Sequence, residues 1–191
     1  ISADSMQVYK GMDIGSAKIT PREMDGVRHH LIDVLEPEED FNVVKFQSLA
    51  QKAMEEIYAR GRIPIIVGGT GFYIQSVLYD IDFTENEAET GVRAELEKLA
   101  GEEGGGERLH QLLAKVDPKA AEEIHAHNVK RVIRALEFYR LTGKRISEHN
   151  AQQREKESPY RFAYFVLDDE RARLYERIDG RVDQMLQEGL L

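Results

Sequence analysis

Four clusters of residues have the types and spacing to do chemistry. The first is Asp4-Ser5-Met6-Gln7, which follows the apolar start Ile1-Ser2-Ala3. Acid and hydroxyl groups directly after an apolar strand sit where α/β proteins place reacting groups. The plainer alternative is an Asp that caps the turn or helix after it. The second is Gly68-Gly69-Thr70-Gly71, a turn whose only functional side chain is the Thr70 hydroxyl. Bare backbone leading into a helix suits an anion, although a tight βα turn needs glycine for its dihedrals alone. The third is the basic run Lys130, Arg131 and Arg134. The fourth is the pair Arg177 and Arg181, four apart on one helical face, with salt bridging to Glu176 or Glu188 as the ordinary alternative.

The elements that must position these groups are legible from their patterns. Ile63 to Val67 is a β-branched run without alternation, which predicts a strand covered on both faces in a parallel sheet. A helix follows through Phe72, Tyr73, Ile74, Val77 and Leu78. Asn42 is the expected cap of a one-sided helix with Val43, Phe46, Leu49, Ala50, Ala53 and Ile57 inward. Thr20-Pro21-Arg22-Glu23 has the capping-box form, and His29 to Asp33 reads as a short strand. The paired histidines there have no third ligand at metal-binding spacing. After Tyr79 the texture turns acidic and then helical, with Asp117-Pro118 as a helix start. In the next helix Val129, Val132, Ile133, Leu136 and Tyr139 form the buried stripe, leaving Lys130, Arg131 and Arg134 off it. Phe162 to Leu167 reads as a strand, and Arg171 to Leu186 as a helix with Leu174, Ile178, Val182 and Met185 as its apolar edge.

Composition bounds the setting. The 191 residues are 41% hydrophobic and 32% charged, with no cysteine and a net charge of −9. This predicts a globular chain without disulfides, fitting a cytoplasmic location, and no apolar run is long enough to span a membrane. The acidic total argues weakly against nucleic acid, but its distribution argues for it. From Asn128 to Arg161 nine Lys and Arg face four Glu, a local +5, so the remainder carries −14. The start at Ile1 and the end at Gly189-Leu190-Leu191 read as interior points of a longer protein.

Ile1-Ser2-Ala3-Asp4-Ser5-Met6-Gln7-Val8-Tyr9-Lys10-Gly11-Met12-Asp13-Ile14-Gly15-Ser16-Ala17-Lys18 resembles the signature of bacterial tRNA dimethylallyltransferases, also called tRNA isopentenyltransferases. Further agreements follow in the family's order at His29 to Asp33, Pro64 to Tyr73, Arg131 to Glu137 and Leu174 to Val182. The resemblance implies a P-loop NTPase-like α/β core with a parallel sheet, 1–84 and 159–191, and a helical insertion, 85–158, that closes on the tRNA anticodon stem-loop. It implies transfer of a dimethylallyl group from its diphosphate to N6 of adenine 37, with Mg²⁺ and nucleotide (ATP-type) binding features. Asp4 would be the general base, with Ser5, Met6 and Gln7 holding the base. Thr70, the Gly68 and Gly69 amides and Arg181 would meet the diphosphate. Arg93 and the segment Lys130, Arg131, Val132, Ile133 and Arg134 would contact the tRNA, and the protein would act as a monomer. One departure stands out. The family's G-x-x-x-x-G-K-[ST] loop occurs nowhere in this chain, and its C-terminal part is also missing. A P-loop small-molecule kinase, which would share the core fold and an anion-binding turn, and an inactive tRNA-binding fragment, which the missing segments suggest, remain the competing readings.

Overall fold

The computed structural model describes residues 1–83 and 91–191. The chain divides into two compact units, residues 1–80 with 158–191 and residues 81–157. The boundary expected at 84/85 lies outside the described residues.

The first unit is built on helix α1 (Val43–Ala59) and helix α2 (Gly71–Leu78). Asn42 caps α1 as its sequence predicts, its side-chain oxygen accepting from the Lys45 amide at 3.0 Å. Phe46, Ala50, Ala53, Met54 and Ile57 then fall on one buried face. Phe46 stacks on Tyr73 of α2 with ring centroids 4.6 Å apart, and Phe41 meets Tyr73 edge-on at 5.6 Å. Ala3, Leu31, Ile74 and Val77 complete this core, with Ile1, Ile66 and Tyr160 packed against it.

The extended start of the chain lies against this core, between two other segments. Ser2 N–H donates to the His30 carbonyl at 2.9 Å, and Ala3 N–H to the Val67 carbonyl at 2.7 Å. Ser2 and Val67 form a parallel bridge, and Tyr9 and Leu35 form another. These isolated bridges are the β pairing found among the described residues, short of the expected parallel sheet. Three sequence expectations change accordingly. Ile63 to Val67 is extended, but only Ile66 packs inward; Ile63, Ile65 and Val67 are 86%, 70% and 66% exposed. Phe162 to Leu167 is not a strand, because no described segment offers it a hydrogen-bonding neighbour, and Phe165 and Leu167 are exposed. His29 to Asp33 is a bent segment, since Leu31 and Asp33 adopt φ of 63° and 54°, outside the strand region.

Thr20 and Glu23 make the reciprocal capping-box bonds, Thr20 N to Glu23 Oε2 at 2.8 Å and Glu23 N to Thr20 Oγ1 at 3.3 Å. Yet no helix follows. Asp25 and Gly26 turn to φ of 46° and 74° and close the segment after a single turn. Helix α8 (Arg171–Gln187) carries its apolar edge as expected, but it buries nothing: Leu174, Ile178 and Val182 stay about half exposed.

The second unit is helical throughout its described elements: α3 (Gly91–Ala100), α4 (Gly105–Val116), α5 (Pro118–Glu123), α6 (Val129–Thr142) and α7 (Ile146–Arg154). Leu96, Leu109, Leu113, Ile124, Val132, Ile133 and Leu136 form its core. The turn between α3 and α4 requires glycine at 105, where a Cβ would run into the Leu99 and Ala100 carbonyl oxygens. Asp117 joins three elements. Its Oδ1 accepts from Ala120 N at 3.1 Å and Ser147 Oγ at 2.6 Å, and its Oδ2 from Ser147 N at 2.9 Å. One buried carboxylate thus caps α5 and fixes the start of α7.

Candidate functional site

In the first unit, the backbone brings Asp4 beside the glycine turn. Ala3 lies directly against it: the Ala3 carbonyl accepts from Thr70 N at 3.3 Å, and Gly68 packs so closely on Ala3 that a Cβ there would strike its carbonyl oxygen. Glycine at 68 is therefore dictated by the approach of another backbone. Gly69 and Gly71 are different. Neither has positive φ, and a Cβ on either would meet nothing within 4 Å. Nothing within the described chain demands glycine at those two positions, which leaves open backbone facing outward.

Thr70 is the N-cap of α2, but its hydroxyl makes no capping bond to the helix. The Gly68 and Gly69 amides find no acceptor among the described residues. Among the described residues, two amides and a hydroxyl without partners thus lie at one bend, at the positive end of a helix dipole.

Asp4 takes up the plainer reading of its sequence position, capping the turn after it. Its Oδ1 accepts from Met6 N at 2.7 Å and Gln7 N at 3.1 Å, closing the turn that follows. Its Oδ2 has no partner among the described residues, and the side chain is half-buried. One oxygen fixes the carboxylate and the other remains available. Ser5 and Met6 are exposed, whereas the Gln7 amide is already engaged. Its Oε1 accepts from Ser2 Oγ at 3.2 Å, and its Nε2 donates to the Ser16 and Ala17 carbonyls at 3.2 and 3.3 Å. Gln7 thereby ties the Asp4 turn to the loop Lys10–Lys18. Lys18 anchors that loop: its side chain is 4% exposed, and its Nζ donates to Tyr9 O, Asp13 Oδ1 and Asp33 Oδ1. Arg181 is exposed on α8, where its charge acts on Glu23 and, behind the Thr20 hydrogen bonds, helps hold that carboxyl below its ordinary range.

In the second unit, the basic run sits at the start of α6. Lys130 and Arg131 are exposed and unpaired among the described residues. Val132 and Ile133 are buried in the core, so within the run the side-chain surface belongs to Lys130, Arg131 and Arg134. Arg93 of α3 meets α6 through Glu137, with Nε and Nη2 at 3.0 and 2.6 Å from its two oxygens. Arg134 approaches the same carboxylate at 3.9 Å. The Arg93 hydrogen bonds, opposed by burial, hold the Glu137 carboxyl below its ordinary range. Burial lowers Arg134 from its usual value.

Among the described residues no group of three or more His, Cys, Asp or Glu side chains is placed to hold a metal ion.

Comparison with known proteins gives a consistent result. The profile described as IPP transferase matches residues 7–191. The chain belongs to the IPP transferase family. It is 62% identical, over its whole length, to a tRNA dimethylallyltransferase of Lachnoclostridium phytofermentans and 53% identical to one of Geobacillus thermodenitrificans. It spans 61% and 60% of the lengths of those two relatives. Among solved structures it is similar to a full-length tRNA isopentenylpyrophosphate transferase from Bacillus halodurans (49% identity, TM-score 0.62, 99% of this chain and 57% of that one). It is also similar to a eukaryotic dimethylallyltransferase acting on tRNA (32% identity, TM-score 0.86, 98% and 46%). These neighbours share the P-loop-like fold.

For this member of the family, sequence reasoning missed two residues that organise the sites. Lys18 stands in the sequence only as the last residue of the signature stretch 1–18, with no role attached. Glu137 carried a signal: it stands four residues after Ile133, on the buried arc of α6, where a carboxylate requires a partner. That partner, 44 residues away, has no local mark in the sequence.

Proposed function

We propose that this chain carries the acceptor side of a tRNA dimethylallyltransferase: the base that deprotonates adenine N6, part of the diphosphate site, and the tRNA-facing helical unit. The observation that carries the proposal is the Asp4 carboxylate, pinned by one oxygen and free at the other, one residue from the segment that packs on the Gly68–Thr70 turn. We also assign the parallel bridge Ser2–Val67 to the parallel sheet of a P-loop-like core.

The chemistry follows from the acceptor. The N6 lone pair of adenine is delocalised into the ring, so the amine is a poor nucleophile that becomes strongly acidic as its bond to carbon forms. Asp4 Oδ2 takes that proton, a contribution of about 10²–10⁴ in rate. The C–O bond to the diphosphate breaks as the C–N bond forms, and negative charge grows on the departing oxygens. Donors already aimed at that charge contribute most. In this chain they are the Thr70 hydroxyl and the Gly68 and Gly69 amides, with Arg181 of α8 as the remaining candidate. A Mg²⁺ ion bound with the diphosphate would neutralise part of that charge. The target adenine reacts only when splayed from its stack, which is how proteins reach loop bases in RNA. Lys130, Arg131, Arg134 and Arg93 supply the phosphate contacts that hold the anticodon stem-loop.

The reading is tested by the product. Protein of the relatives' full length carrying this sequence is incubated with tRNA and dimethylallyl diphosphate, and separately with ATP. Prenylated adenosine in the RNA digest is expected; a phosphorylated product in its place identifies a kinase. Stem-loop binding with no prenylation identifies an RNA-binding protein without this activity.

The turn makes its own prediction. Gly68→Ala lowers the melting temperature of the chain, because the Ala3 backbone must move. Gly69→Ala leaves melting unchanged and weakens inorganic pyrophosphate binding, measured by calorimetry. Equal melting losses for both would remove the anion assignment.

A further inference from the structure

We infer that Glu137 is a positioning residue for RNA phosphate, acting through Arg93 and Arg134. The inference rests on the tRNA reading above and deepens it. Glu137 is 5% exposed, on the arc of α6 that otherwise buries Ile133, Leu136 and Phe138. An apolar residue there would pack at no electrostatic cost, and buried ion pairs are often no more stabilising than such a replacement. The pair does something an apolar residue does not. It grips Arg93 through Nε and Nη2 as a fork, fixing the plane of the guanidinium.

The triad is also asymmetric. The carboxylate is inside, with 7% of its side chain exposed, while the arginine side chains are 50% and 35% exposed. A purely internal salt bridge would draw the arginines in as well. Here Arg93 keeps Nη1 without a partner among the described residues, and the two arginines outnumber the one carboxylate, so the group retains a net positive charge. Lys130 and Arg131 lie within the preceding turn of the same helix. An anchored guanidinium loses less side-chain freedom when it meets a phosphate oxygen than a free one does. Arg140, which pairs with Glu95 at 3.2 Å, adds a second tie between α3 and α6 and helps keep the two helices in register.

This assignment predicts an effect of opposite sign to simple charge counting. Glu137→Gln removes a negative charge from a basic face, and bulk electrostatics alone says that RNA binds more tightly. Positioning says that it binds about fivefold or more weakly, because the fork is released. The probe is a synthetic anticodon stem-loop RNA, titrated against the 191-residue chain at several salt concentrations, with folding followed by circular dichroism. Arg93→Lys is the companion variant: it keeps the charge, loses the fork, and is expected to weaken binding by a similar factor. The two changes together should cost no more than either alone. Should Glu137→Gln fail to fold, Arg93→Lys decides. If the wild type binds the stem-loop and the folded variants bind equally or more tightly, the positioning role is overturned and the tRNA reading survives. If the wild type does not bind the stem-loop at all, both fall.

Discussion

Asp4→Asn, placed in protein of the relatives' full length, lowers the single-turnover rate of prenyl transfer by about 10²–10⁴ while changing tRNA affinity little. Asparagine is the informative replacement. Its side-chain oxygen still accepts from the Met6 and Gln7 amides, the bonds that hold the turn at 2.7 and 3.1 Å. The fold of residues 4–7 is therefore kept, and what disappears is the capacity of Oδ2 to take a proton. Asp4→Ala removes both, so its additional loss over Asp4→Asn reports how much the capped turn contributes to placing the group. A parallel fall in rate and affinity for Asp4→Asn would place residue 4 in RNA binding and leave the proton without an acceptor.

The second large effect concerns stability. Asp117→Ala leaves the start of α5 uncapped and strips two buried donors of Ser147, its amide and its hydroxyl. The cap is worth about 1 kcal/mol, and each buried donor left unmet costs about 1–3 kcal/mol. A loss of roughly 3 kcal/mol or more lowers the melting temperature of a unit this small by roughly 10–20 °C. The pH dependence carries the same signature. Burial raises the Asp117 carboxyl, but the Ser147 and Ala120 hydrogen bonds outweigh it and set the folded value below the ordinary aspartate value of 3.8. A depressed folded value means that this stabilisation is complete above 3.8 and is lost as pH falls through the folded value. Acid titration of urea midpoints should therefore narrow the gap between wild type and Asp117→Ala. A constant gap would show that the lost stability comes from packing alone.

Legibility in the sequence followed the range of the interaction. The Asn42 cap and the Asp117-Pro118 helix start were readable because donor and acceptor lie three residues apart. The Thr20–Glu23 bonds were readable for the same reason, but the helix they announce was cancelled two residues later at Asp25. Ile63 to Val67 was readable as extended, since β-branched residues favour that backbone. Its coverage was not, because covering a face needs partners that local pattern does not specify. The same holds for Phe162 to Leu167, apolar enough for a strand and without a neighbour to pair with. At the sites, the residue types were readable and their couplings were not. Asp4 and Thr70 could be named, yet the contact between their segments through Ala3 spans most of the first unit's chain. Lys130 and Arg134 could be named, but the carboxylate that Arg134 shares with Arg93 became evident only once α3 and α6 were packed.

The most direct measurement of the central claim is a structure of the full-length protein with an anticodon stem-loop and an unreactive diphosphate analogue. The account predicts Asp4 Oδ2 at about 3 Å from N6 of the splayed adenine, with the diphosphate oxygens on the Gly68 and Gly69 amides and the Thr70 hydroxyl. An adenine whose N6 meets a different acceptor, with Asp4 turned away and the glycine bend empty, would contradict it.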